Sequence, residues 1–98
     1  MNKEYDMQKY APLFVDKDKA TIVYNEILQL DPSNNDIEIN MTGIESMTTL
    51  CAKIIFGNLA KSMGLSTFYK RIKFKGLTEE VELVINMGID NAINSNNI

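Results

Sequence analysis

The sequence predicts an α/β fold, a sheet of at least three strands alternating with three main helices. Three observations lead there. Apolar residues recur at three- and four-residue spacing in three segments, they alternate with polar ones in two others, and turn-forming residues separate the segments. The resulting order is strand, helix, strand, helix, strand, helix, for which right-handed crossovers make successive strands parallel.

The first strand is expected between Tyr5 and Val15, where β-favouring residues surround Pro12. Proline cannot donate to a ladder, so an edge position is expected. Asp16 and Asp18 then stand ahead of Ala20, Val23, Tyr24, Ile27 and Leu30, one helical stripe with acidic capping residues at its start. Pro32, in the run DPSNND from Asp31 to Asp36, stops this helix.

Ile37, Ile39 and Met41 alternate with Glu38, Asn40 and Thr42, the period-two pattern of a strand, which Gly43 is expected to end. From Thr48 to Met63 the chain is apolar round most of a helical circumference, so this helix should be covered on nearly all sides. Gly64 stands where a left-handed terminating residue is expected. Phe68, Ile72 and Phe74 share one parity while Arg71, Lys73 and Lys75 share the other, predicting a second amphipathic strand that ends at Gly76. Thr78 is placed to cap a last helix with Glu79, Glu80 and Glu82 in its first turn and a buried stripe of Val81, Val84, Ile85, Gly88, Ile89, Ala92 and Ile93.

At 98 residues the chain reads as a single domain over 1–98, with 1–4 and 94–98 expected to fray. Its 45% hydrophobic and 23% charged residues match ordinary globular usage. A domain this size buries roughly 60–70% of its unfolded surface, which favours a shallow binding surface over a deep cavity. The net charge of −3 argues against nucleic acid as a partner. Histidine is absent and Cys51 is the single cysteine, which removes the common zinc sets and the usual general base. With no paired nucleophile, glycine-rich phosphate loop or cofactor motif, no enzymatic activity and no cofactor are expected. No signal-peptide stretch or membrane-length apolar run occurs, so a cytoplasmic protein without membrane attachment is expected.

The stretch IEINMTGIESMTTLCAKIIFGNLA, from Ile37 to Ala60, resembles the STAS family, which includes bacterial anti-anti-sigma factors. Asn40, Met41, Thr42, Gly43 and Ile44 occupy the places where members end a central strand with aspartate, an apolar residue, a small polar residue, glycine and an aliphatic residue. The chain is still more similar to short, uncharacterised bacterial STAS-like proteins. In those a hydroxyl-rich turn leads into an apolar, glycine-containing helix, as Met47, Thr48, Thr49, Leu50 and Gly57 do here. A later strand alternating lysine and phenylalanine precedes their last helix, as RIKFKG from Arg71 to Gly76 precedes Thr78.

The resemblance implies a protein-interaction module in bacterial regulation, with an anti-sigma-like ATPase as the partner suggested. It also implies a binding face formed by Gly43, Glu45, Ser46, Thr48, Thr49 and Lys53. In the anti-anti-sigma branch a partner kinase phosphorylates a serine at the start of this helix. Its aspartate, serine, serine and glycine map to Thr48, Thr49, Leu50 and Cys51, so leucine stands at the usual acceptor place. Thr48 and Thr49 are then the candidate acceptors, although a hydroxyl at a helix start is also explained by capping alone.

Three further readings follow from the residues themselves. Exposed amides at the helix start beside Thr48 and Thr49 suit a small anion or nucleotide. An edge strand near the N-terminus could pair with its copy in a homodimer. Cys51, inside an apolar segment, is expected in the core, as are Met41, Met47, Met63 and Met87.

Overall fold

In the computed structural model, which describes residues 2–94, three strands form a parallel sheet with the order β1, β3, β5. They are β1 (Asn2–Asp6), β3 (Asp36–Asn40) and β5 (Ile72–Lys75). Two shorter strands, β2 (Leu13–Phe14) and β4 (Ser46–Met47), make a separate parallel pair. The alternation at Ile37 and Ile39 works as the period requires: both are fully buried while Glu38 between them is exposed. Register places Tyr5 and Phe74 beside Ile39, and Ile72 beside Ile37, on this inner face. On the opposite face Glu4, Glu38 and Lys73 lie in one exposed row.

The helix α1 (Lys17–Gln29) starts at Asp16, whose carboxylate accepts from the amides of Asp18 and Lys19. Ala20, Val23 and Ile27 are its buried stripe. The segment expected as one covered helix is continuous, but it comprises α2 (Thr49–Ala52), a π-helical turn (Lys53–Gly57) and α3 (Asn58–Met63). It stands between the sheet and α5 (Glu79–Asn94), and the π turn also packs against α1. Phe56 meets Phe74 of β5 edge to face at 5.2 Å. On its other side, Gly57 faces Gly88 and Ala92 of α5. Gly64 ends α3 at φ +85°, and Thr78 caps α5 by accepting from the Val81 amide at 3.2 Å.

Several expectations need correction. The strand expected from Tyr5 is β1, displaced toward the N-terminus. Asn2 to Glu4, expected to fray, are paired in it with Asp36 to Glu38. It is an edge strand, and the expected stretch from Tyr5 to Val15 holds only its end, then a 3-10 turn (Gln8–Tyr10) and, directly after Pro12, the second edge strand β2. Asn94 closes α5, and the rest of the expected frayed tail falls outside the described residues. The strand expected from Phe68 begins only at Ile72, because residues Leu65–Arg71 form a fourth helix, α4. Phe68 and Ile72 are both buried, and residues four apart share a face in a helix as well as in a strand, so their spacing fits either structure. Among the described residues the layout is therefore four main helices with five strands. Met41 and Met47 are buried and Met63 half-buried, but Met87 is 47% exposed on the outer side of α5. Among the described residues, no helix is long and apolar enough to cross a membrane.

Inside the sheet's β1 edge, the Tyr5 hydroxyl donates to the Glu26 carboxylate on α1. Burial first, and then this carboxylate, push the phenol well above its ordinary value near 10. Below that pH the tyrosine is protonated in both folded and unfolded chains. Above it the unfolded chain releases the proton while the folded chain keeps it, so stability falls as pH rises. Denaturant titrations from pH 9 to 11 should therefore show a decline in stability, and Tyr5→Phe should make that decline shallower.

Candidate functional site

The sequence-predicted face gathers around the β2–β4 pair and the helix that follows β4. The Pro12 carbonyl accepts from the amides of Glu45 (2.8 Å) and Ser46 (3.3 Å), and the Phe14 carbonyl accepts from that of Thr48 (3.2 Å). Alternation turns Phe14 and Met47 into the core and leaves Leu13 and Ser46 outside, where Val15 and Thr48 are also exposed. The two strands run parallel, so both lead into helix starts at the same end, Asp16 for α1 and Thr48 for α2.

Thr48 has extended backbone angles, and its hydroxyl accepts from the Cys51 amide at 3.2 Å. It is an N-cap. Thr48→Ala should lower stability by about 1 kcal/mol in a urea denaturation series, the usual effect of losing such a cap. Thr49 is half-buried, Leu50 is 53% exposed, and Cys51 is fully buried. Burial raises the Cys51 thiol pKa, the Asp16 carboxylate adds to the effect, and the hydrogen bond with Thr48 opposes it. The thiol is held protonated, as suits a core residue rather than a nucleophile.

Lys53 lies one turn beyond Thr49 and is half-buried. Glu45 is exposed just ahead of β4. Gly43 turns the chain at φ +89°, with the Ala11 methyl 3.3 Å from where its own Cβ would stand. Thus Ser46 and Thr48 share the outer face of the strand pair, Thr49 and Lys53 continue onto the helix, and Gly43 sits to one side against Ala11. Sequence reasoning missed the apolar part of this surface. Leu13 and Val15 are 58% and 59% exposed, and with Leu50 they put three large hydrophobic side chains in water beside these hydroxyl groups. Among the described residues, no group of histidine, cysteine, aspartate and glutamate could hold a metal ion.

The model of a family described as STAS-like domain of unknown function (DUF4325) matches residues 19–82, about two thirds of the chain. The chain belongs to this family. The match to the STAS-like domain takes in α1 from Lys19 onward, the central strand β3, Gly43, the capped helix start, the π turn and β5, and it stops in the first turn of α5. Leu13 and Val15 precede it. No curated protein and no solved structure matches the chain.

Proposed function

We propose that this STAS-like domain is a non-enzymatic protein-interaction module of bacterial regulation, acting in the cytoplasm, whose protein partner covers the outer face of the β2–β4 pair and the start of α2. The observation that carries this reading is the exposure of Leu13, Val15 and Leu50 around Ser46, Thr48 and Thr49. Large apolar side chains rimmed by polar groups suit a docking surface, where water is excluded from the apolar centre. The family resemblance makes an anti-sigma-like ATPase the first partner to test. A phosphate on Thr49 would add roughly 1.5–2 negative charges to this face. Binding of an anion at the same helix start has less support, since the Cys51 amide is already taken up by the Thr48 hydroxyl.

Affinity capture with wild-type and variant domains tests the reading. Leu50→Asp and Thr49→Glu should each lose a partner that the wild type retains. Leu83→Asp should keep it, because Leu83 lies on the outer face of α5 among Glu79, Glu80, Glu82 and Asn86. Equal recovery by all four folded proteins, checked by circular dichroism, would place the binding surface elsewhere.

A further inference from the structure

We propose that the outer edge of β2 pairs with the same edge of a second copy of the chain, antiparallel and across a two-fold axis. The hydrogen-bond parity of the strand sets up this edge. The carbonyls of Pro12 and Phe14 are turned to β4, so the N–H and C=O groups of the alternate residues, Leu13 and Val15, point the other way. An antiparallel copy in which Leu13 stands opposite Val15 of its mate satisfies all four groups in each chain. The two-fold then passes between the two Phe14 residues.

The same register joins the exposed side chains. Leu13 and Val15 of both copies fall side by side on one face of the new four-stranded sheet, where they touch across the seam and leave that face open to the partner. The edge is open to such a mate, because a groove of about 300 Å³ runs beside it, with Lys9, Tyr10 and Ala11 toward one end and Asp16 and Lys19 toward the other. The two-fold reverses these ends, bringing Lys9 of one copy toward the Asp16 and Lys19 end of the other, so one carboxylate and one ammonium face each Lys9 and the side chains of the strand, not charge, carry the pairing.

The edges of the larger sheet suit a second copy less well. Centring β1 on its own copy sets Glu4 against Glu4 or Lys3 against Lys3, and like charges directly opposite are destabilising. β5 carries exposed Lys73 and Lys75, the usual guard on an edge strand.

Sedimentation equilibrium on the full chain, from micromolar to millimolar concentration, tests the pairing with no partner present. Wild type should dimerise. Val15→Lys should weaken the dimer by about tenfold or more while leaving the far-ultraviolet spectrum and the melting temperature in place. Register is read by mixing Leu13→Cys and Val15→Cys proteins under oxidising conditions. A hydrogen-bonded antiparallel pair has Cα atoms about 5.5 Å apart, within disulfide reach, so the mixed disulfide should exceed either same-site product. A wild type that stays monomeric, a dimer that Val15→Lys does not weaken, or same-site disulfides in excess would each overturn the pairing. A monomer that still captures its partner would do so while leaving the proposed function in place.

Discussion

Gly88→Ala is expected to lower stability by about 2–3 kcal/mol, although alanine is by itself the better helix former. The gain in helix propensity is at most about 1 kcal/mol. Against it stands the crossing of α5 over the central helix, where a Cβ on Gly88 would lie 2.6 Å from the Lys53 nitrogen and 2.7 Å from the Ala52 carbonyl carbon. Both are backbone atoms, so no rotamer change relieves the contact and the helices must separate. Separation loosens the packing of the fully buried Ala52 and Ile55 beside the crossing. Gly57 belongs to the same contact, since its Cβ would stand 2.7 Å from both the Ala92 methyl and the Gly88 carbonyl oxygen. Gly57→Ala should therefore be destabilising too, and the double variant should cost less than the two single effects added together, because one separation accommodates both methyls. For a domain of this size the single change at Gly88 corresponds to a melting temperature lower by roughly 10–20 °C. Urea denaturation of the four proteins checks this, and a Gly88→Ala domain as stable as wild type would show that the two backbones are not in close contact.

Phe56→Ala should be more damaging still, at about 3–5 kcal/mol. Phe56 has no exposed surface and stands on the π turn, where its ring meets that of Phe74 at 5.2 Å and 74°. Truncation removes a large buried side chain from the place where the central helix rests on the sheet, and covered backbone on both sides limits collapse into the cavity. Phe74 is half-buried on the edge strand β5, so Phe74→Ala should cost clearly less. Guanidinium denaturation of both variants measures the difference. A Phe56→Ala loss below about 1 kcal/mol, outside the range for such a truncation, would mean that this helix is not the centre of the core.

The parts of the fold legible in the sequence are those whose periodicity spans enough residues to exclude other structures. Ala20, Val23 and Ile27, then Ile37 and Ile39, and Val81, Ile85 and Ile89 all lie buried on the elements expected, although the strand ends at Asn40, before Met41 and Gly43. The helix α4 was not legible, because a seven-residue helix anchored by one buried residue, Phe68, has too short a pattern to compete with the alternation that follows it. The π turn at Lys53 to Gly57 leaves no sequence mark, since every residue there is compatible with an ordinary helix. β2 and β4 have two residues each, too few for any period, and their pairing depends on contacts between distant segments. The same limit hid the apolar part of the candidate surface. Thr48 was readable as a cap, but the exposure of Leu13 and Val15 follows from a strand that only tertiary pairing defines. Met87 misled in the opposite direction. It fits an apolar pattern on a helix whose outer side is exposed.

Docking of a partner on the outer face of the β2–β4 pair and the start of α2 has a signature in the backbone amides. Amide hydrogen exchange, measured on the domain alone and in complex with a captured partner, tests it most directly. Docking there should slow exchange over residues 46–53, whose amides the pairing of β2 with its copy does not use, and leave the outer face of α5, residues 79–90, unchanged. Protection confined to α5, with none at residues 46–53, would contradict docking at this face.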